Sequence, residues 1–179
     1  MGGIIEDDEI EICRGVKNFV ETGTYRGVNT LNVSKHFENV YTIEIVPNLY
    51  ELSKKKFIEE NKTNIKCYLG DSLEILPQIV PKVHTGAVWF LDSHQSGHDT
   101  GNNGVQDVPL LEELDTILQF KLTGKHIFML DDLRLWKDVR PWDWAHISTK
   151  IILDKFKTYG YTVDKYFEKN DRLYIIFNN

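Results

Sequence analysis

Two acids stand at the ends of short apolar runs near the start of the chain, and together they suggest a cofactor site. The first is Glu21 in Asn18-Phe19-Val20-Glu21-Thr22-Gly23-Thr24-Tyr25-Arg26-Gly27, where an apolar run ends in an acid and passes through a glycine turn into a helical segment. The second is Glu44, 17 residues beyond Gly27, closing Val40-Tyr41-Thr42-Ile43-Glu44. Acids at the carboxyl ends of adjacent parallel strands suit a ligand with hydroxyls and an ammonium group. They would repel a pyrophosphate. A dinucleotide fingerprint also needs the middle glycine of G-x-G-x-x-G, and here Thr24 follows Gly23 with no further glycine before Gly27. Ribose hydroxyls are held by an acid about 20 residues past such a turn, which points to Glu44. Asp71, in Leu69-Gly70-Asp71-Ser72, ends a third apolar run as a helix N-cap, a ligand contact, or both.

A second constellation pairs Phe90-Leu91-Asp92-Ser93-His94 with Met129-Leu130-Asp131-Asp132. Buried carboxylates this close repel unless a cation or protons intervene. A hard divalent cation bound by two or three carboxylates and water suits Mg²⁺, so Asp92, Asp131 and Asp132 are candidate metal ligands. In the plainer alternative Asp92 contacts a ligand and Asp131 or Asp132 caps the next segment. His94 and His98 follow Asp92 closely and are candidates for a general base or a metal ligand. Asp99 and Asp107 read as solvated turn residues, and His36, His84, His126 and His146 lack such a context. Trp136, Trp142 and Trp144 crowd into one polar loop, either to fold it down onto the domain or to offer an aromatic platform to a flat or sugar-like acceptor.

These acids need a scaffold that brings strand ends together. Apolar runs of strand length recur at 19–21, 40–45, 65–69, 87–91 and 126–130, separated by helical periodicity at 27–37, 47–61, 72–80 and 110–120. That alternation means βαβ units and a parallel sheet covered on both faces. After a helix over 148–159, two alternating runs at 161–167 and 172–177, joined by 168–171, read as a β-hairpin whose last strand runs antiparallel to its neighbour. The expected fold is therefore α/β, doubly wound and mostly parallel, in one domain over 1–179, with an N-terminal helix or arm in 1–15. Two long connections, 93–109 and 133–147, leave the carboxyl edge of the sheet, where ligands bind in open α/β folds. They are expected to be active-site loops.

The 179 residues suffice for one domain with a real core. The net charge is −6 and no basic cluster exceeds Lys54-Lys55-Lys56, so a nucleic-acid partner is not expected. No apolar run approaches the length of a membrane span. Met-Gly-Gly-Ile-Ile-Glu-Asp-Asp reads neither as a signal peptide nor as a myristoylation signal. Cys13 and Cys67 lack metal-ligand spacing and read as thiols in a reducing compartment. A cytoplasmic location is expected by default.

Val20-Glu21-Thr22-Gly23-Thr24-Tyr25-Arg26-Gly27 resembles motif I of the class I S-adenosylmethionine-dependent methyltransferases. Its Glu-x-Gly-Thr-x-x-Gly form is similar to that of O-methyltransferases acting on sugars and macrolides, the macrocin type. The resemblance covers nearly the whole chain after about Val16. It implies a seven-stranded Rossmann-like sheet ending in an antiparallel hairpin, with S-adenosylmethionine as cofactor. Glu21, Gly23 and Thr24 would cradle its methionine portion, Glu44 with the adjoining Ile45 the ribose side, and Asp71 and Ser72 the adenine. Asp92 would sit both at the cofactor and at the metal-binding acid position, with Asp131-Asp132 as the second acidic pair and Mg²⁺ as the ion. Catechol-type enzymes carry a lysine base where this chain has Ser93-His94-Gln95-Ser96, so the catalytic candidates become Asp92 and His94. The implied activity is metal-assisted O-methylation of a sugar or other small polar acceptor, in a chain that could pair as a homodimer. Competing classes are a metal-independent methyltransferase, a non-catalytic S-adenosylmethionine-binding protein and an NAD-type oxidoreductase. The missing middle glycine and the terminal hairpin argue against the last.

Overall fold

Seven strands form one sheet in the order β3-β2-β1-β4-β5-β7-β6. They are β1 Asn18–Thr22, β2 Asn39–Glu44, β3 Ile65–Leu69, β4 Ala87–Leu91, β5 Lys125–Leu130, β6 Lys165–Lys169 and β7 Arg172–Asn178. The first five run parallel, while β7 lies antiparallel between β5 and β6. This computed structural model describes residues 3–95, 97, 99–101, 107–136 and 144–179. Ser96, His98 and Trp142, named above, lie outside the described residues, as do parts of the two long connections at 102–106 and 137–143.

Side chains of a strand alternate between faces, and the three central strands bury both. Val20, Trp89, Leu91, Phe128 and Leu130 join the core under α4 Ser72–Val83, α5 Leu110–Leu118 and α6 Thr149–Thr158. Phe19, Val88, Phe90, Ile127 and Met129 join the opposite core with Ile5, Cys13, Val33 and Phe37, beneath α1 Asp7–Ile12 and α2 Val28–Val33. Continuous apolar runs such as Ala-Val-Trp-Phe-Leu are what a strand buried on both faces requires. A further helix, α3 Pro47–Glu59, follows β2 with proline at its start. Among the described residues no helix is long and apolar enough to cross a membrane.

The sixth strand begins at Lys165, not at 161. Tyr161 is committed elsewhere: its N–H donates to the Phe156 carbonyl, and its hydroxyl accepts from the Leu122 N–H while donating to the Phe120 carbonyl. The hairpin is correspondingly tighter than the four-residue link expected. Asn170 and Asp171 both have left-handed φ, 49° and 63°, as a two-residue primed turn demands. The second helix ends at Val33, not at 37, because the side-chain amide of Asn64 takes the Ser34 and Phe37 carbonyls and turns the chain toward β2. Within 1–15 the helix is Asp7–Ile12, started by a reciprocal Glu6–Glu9 capping box.

Candidate active site

The carboxyl ends of β1 through β4 open onto one cleft of about 860 Å³. Its first wall is the turn after β1. Gly23 and Thr24 both donate their N–H to the Ile43 carbonyl at 3.0 Å, which draws the turn against β2. Gly23 has φ 88°, and a β-carbon there would stand 2.5 Å from the Asp92 carbonyl oxygen. The glycine is thus required twice, by conformation and by the close approach of the β4 end. Tyr25 also has a positive φ, 50°, and is held by the Ser53 hydroxyl on its carbonyl and by Glu44 on its N–H. Non-glycine strain of this kind persists only where surrounding bonds over-determine it.

Glu21 is 1% exposed. It accepts from Asn29 Nδ2 at 2.8 Å, Thr30 Oγ1 at 2.5 Å and Thr42 Oγ1 at 2.7 Å. Burial nevertheless pushes its carboxyl up to about 7, against those three bonds and with the help of the Asp92 charge. Glu44 accepts from the Tyr25 N–H at 2.7 Å and the Val46 N–H at 2.9 Å. Burial raises its pKa too, although these amides oppose the shift. With Ile45 also donating to it, the carboxylate has accepting capacity left for one more partner. Asp71 caps α4 through the Leu73 N–H at 2.9 Å and lines the same cleft as Ile45 and Ser72. All the expected cofactor residues (Glu21, Gly23, Thr24, Glu44, Ile45, Asp71, Ser72 and Asp92) therefore line one cavity.

Across the cleft stands the acid–imidazole centre. His94 Nδ1 lies 3.5 Å from Asp92 Oδ1, and Nε2 lies 3.1 Å from Asp132 Oδ2. Burial by itself would lower the His94 pKa, but the hydrogen bond with Asp92 and the charges of Asp92, Asp132 and Asp131 outweigh it and raise the pKa. His94 thus lies between the two acids, one ring nitrogen facing each. One donor atom from each of Asp92, His94 and Asp132 falls within 4.8 Å of the others, a spacing that a divalent ion could bind. Asp132 reaches this position through a left-handed φ of 59°. Its other oxygen meets Arg134 Nη1 at 2.6 Å, and Arg134 is itself clamped by Asp171 of the hairpin turn.

Asp131 is placed differently from its neighbour. Its Oδ1 accepts from Arg172 Nε at 3.0 Å. Burial and the nearby Asp92 charge push its carboxyl up to about 7 despite that arginine. Arg172 is almost fully buried and spends its remaining donors on the Glu9 carboxylate, at 2.7 and 2.8 Å, and on the Gly3 carbonyl at 2.6 Å. So the structure converges Asp92, Asp132 and His94, while Asp131 stands beside them, tied to the N-terminal helix.

From the segment after β4, Gly97, Asp99, Thr100, Gly101 and Asp107 line the cleft. Asp99 is an exposed turn residue, as expected, and also accepts from Tyr25 Oη at 3.2 Å and from Arg26 Nη2 at 2.9 Å. Trp136 and Trp144 are buried in the core under α5 and α6, which is the folding-down role of the two weighed above.

Glu113 was missed by the sequence reading. It sits 1% exposed on α5, accepting from Thr22 Oγ1 at 3.2 Å, from the Ser93 hydroxyl and from Ser72. A signal existed: Glu113 falls on the apolar stripe Leu110, Leu114, Ile117, at positions i+3 and i+4 that face the core. Burial pushes its carboxyl up to about 7 from an ordinary 4.5, against those hydroxyls. A raised folded-state pKa gives stability that is complete below pH 4.5 and is lost as pH rises to 7. Glu113→Gln is therefore expected to flatten the fall in stability between pH 5 and pH 8 by up to about 3 kcal/mol, at 1.36 kcal/mol per unit of pKa. Urea midpoints across that range check this, and parallel pH profiles for the two proteins would refute it.

No protein-family model matches the chain. Over 106 residues it is 29% identical to the protein-L-isoaspartate O-methyltransferase of Thermosipho melanesiensis, covering 56% of this chain and 53% of that protein. The chain thus spans about half the length of the curated relative it matches. Among solved structures, the O-methyltransferase TomG of Streptomyces achromogenes, involved in tomaymycin synthesis and in complex with SAM, superposes with a TM-score of 0.64 at 13% identity, over 97% of this chain and 81% of that one. The SAH-bound methyltransferase PaMTH1 of Podospora anserina gives 0.63 at 18% identity, over 95% and 76%. The fold is the Rossmann-like methyltransferase fold.

Proposed function

We propose that this chain binds S-adenosylmethionine in the β1–β4 cleft and transfers its methyl group to a hydroxyl oxygen of a sugar or other small polar acceptor, assisted by a divalent cation. The observation that carries this reading is one cavity lined by Glu21, Gly23 and Glu44 on one side and by Asp92 and His94 on the other. The methyl of a sulfonium is already electrophilic, so the protein must align the nucleophile and take its proton. The acceptor oxygen forms a bond to the methyl carbon as the sulfur–methyl bond breaks, leaving neutral S-adenosylhomocysteine. The acceptor proton passes to Asp92, whose pKa is raised chiefly by burial, with His94 opposite it holding Asp92 and Asp132 in place.

Two carboxylates and an imidazole within 4.8 Å fit a divalent ion. The two carboxylates suit Mg²⁺ or Mn²⁺. Asp92, Asp132 and His94 would hold it, with Asp131 alongside. When bound, such a cation lowers the pKa of a hydroxyl and fixes its geometry. A metal-independent reading keeps one specific support: the His94 ring already stands between the two acids, with a nitrogen facing each.

Calorimetry with S-adenosylhomocysteine tests the cofactor site. Micromolar affinity is expected, about −8 kcal/mol. Glu44→Ala should weaken it roughly 10- to 100-fold, the range of one or two lost charge-assisted hydrogen bonds. Unchanged affinity removes Glu44 from the ribose. Millimolar Mg²⁺ or Mn²⁺ should raise the melting temperature over that in chelator by mass action. Identical melting temperatures, with and without S-adenosylhomocysteine, would leave the metal-independent reading.

A further inference from the structure

Glu113 occupies a position on α5 where the stripe Leu110, Leu114 and Ile117 calls for an apolar residue. A carboxylate buried there costs stability unless its bonds offset the lost hydration. Neither Glu113 nor Thr22 is among the residues lining the large cleft. What Glu113 binds is the frame of that cleft. Its carboxylate gathers hydroxyls from three separate elements: Thr22 at the end of β1, at 3.2 Å, Ser93 just after β4, and Ser72, the first residue of α4. Ser72 and Ser93 both line the cleft.

Thr22 passes the contact on. An ionised carboxylate can only accept, so the Thr22 hydroxyl donates to Glu113 and keeps its oxygen for accepting. The Asp92 N–H donates to that oxygen at 3.3 Å, as well as to the Thr22 carbonyl at 3.2 Å. Asp92 and Ser93 are therefore both held from Glu113, the first through Thr22 and the second directly. The same two residues abut the β1 turn: the Asp92 carbonyl oxygen and Ser93 Cα would lie 2.5 and 3.4 Å from a β-carbon on Gly23. The stretch that presents Asp92 and His94 is thus fixed by the Gly23 turn and by Glu113, and Glu113 alone of the two also holds the start of α4.

We propose that Glu113 is a positioning residue of the methyl-transfer site: by holding Ser72, Ser93 and, through Thr22, the Asp92 amide, it sets the distance between the α4 wall and the acid at the end of β4. The assignment rests on the reading that S-adenosylmethionine lies in this cleft with its purine toward Ser72. A ligand that spans both walls feels that distance, whereas a ligand that meets only the purine wall does not. Residues that touch no ligand act in this way when their hydrogen bonds lock the residues that do.

The test compares S-adenosylhomocysteine, which spans the two walls, with adenosine, which carries the purine and ribose alone. Burial raises the Glu113 pKa to about 7, so calorimetry at pH 8 keeps the carboxyl mostly ionised. Glu113→Leu cuts all three bonds. It should weaken S-adenosylhomocysteine about tenfold or more, the scale of one lost charge-assisted hydrogen bond, and leave adenosine within about twofold, as for an independent site. Glu113→Gln keeps the shape and still bonds hydroxyls, so it should restore most of that affinity. Thr22→Val removes only the relay to Asp92. It should likewise weaken S-adenosylhomocysteine and spare adenosine, and it carries the test if Glu113→Leu does not fold. An equal loss for both ligands marks a merely structural role and overturns the assignment. So do unchanged affinities for S-adenosylhomocysteine, or a Glu113→Gln that binds it no better than Glu113→Leu. If the native chain binds neither ligand, the cofactor reading itself fails and takes this assignment with it, an outcome distinct from the others.

Discussion

Gly23→Ala is expected to abolish measurable S-adenosylhomocysteine binding and to destabilise the fold by roughly 2–5 kcal/mol. Two costs combine. A left-handed backbone costs an L-residue about 1–2 kcal/mol, and forcing a methyl into a filled space costs about 1–3 kcal/mol more. The space is filled by backbone: the Asp92 carbonyl oxygen would stand 2.5 Å from the new carbon. Backbone cannot rotate away as a side chain would, so relief must move the end of β4, and Asp92 with it. Gly15→Ala separates the two costs. Gly15 has a similar φ of 84°, but nothing lies within 4 Å of its would-be β-carbon. It should lose only the conformational part and bind cofactor normally. Calorimetry and urea midpoints on both variants decide. Equal losses in the two would show that the contact with Asp92 carries nothing.

The second large effect is expected at Arg172. Removing one partner of a buried ion pair leaves a stranded charge and costs about 3–5 kcal/mol. Arg172→Met strands two, Glu9 and Asp131. The sign with pH follows from both acids. Burial works to raise the Glu9 pKa, but the Glu6 amide, Tyr174 and Arg172 hold it below its ordinary value. A depressed carboxyl gives stability above about pH 4.5 that is lost as pH falls through the folded-state value. Asp131, at about 7 even with the arginine present, becomes harder still to ionise without it. The loss in Arg172→Met should therefore be largest near pH 7.5 and shrink toward pH 5, where both acids can take up protons. Chemical denaturation at the two pH values measures it, and Arg172→Lys, which keeps the charge, should lose less. A loss that is the same at both pH values would remove the charge argument.

The strands were legible because a doubly covered parallel strand must be apolar throughout, and Ala87-Val88-Trp89-Phe90-Leu91 could be little else. The cleft residues were legible for a related reason: Glu21, Glu44, Asp71 and Asp92 each follow directly on such a run, so locating the strand ends located them. The remainder depended on side-chain direction. Nothing in the spacing of Asp131 and Asp132 shows that one turns to Arg172 and the other, by a left-handed backbone, toward His94. Nothing in the alternating run 172–177 marks Arg172 as buried. Its burial arises because β7 inserts between β5 and β6 and because α1 covers that end of the sheet. The sixth strand was placed too early because Tyr161 and Val163 continue an apolar alternation, although the Tyr161 N–H goes to Phe156 and its hydroxyl to the α5–β5 connection.

That insertion has a consequence for the order in which the molecule can be made. A ribosome releases β6 before β7, yet β6 has no neighbour in the sheet except β7. Until residues 172–178 emerge, β5 is an open edge and 165–169 has nothing to pair with. The same late segment brings Arg172, which neutralises Asp131, and follows directly on Asp171, which clamps Arg134 against Asp132. During synthesis Glu9 and Asp131 are therefore complete while their shared counter-charge, Arg172, is still inside the exit tunnel. The nascent chain must hold these two uncompensated carboxylates and an unpaired strand edge until β7 arrives. Chaperone capture of ribosome-bound chains should rise once β5 is exposed and fall as β7 clears the tunnel.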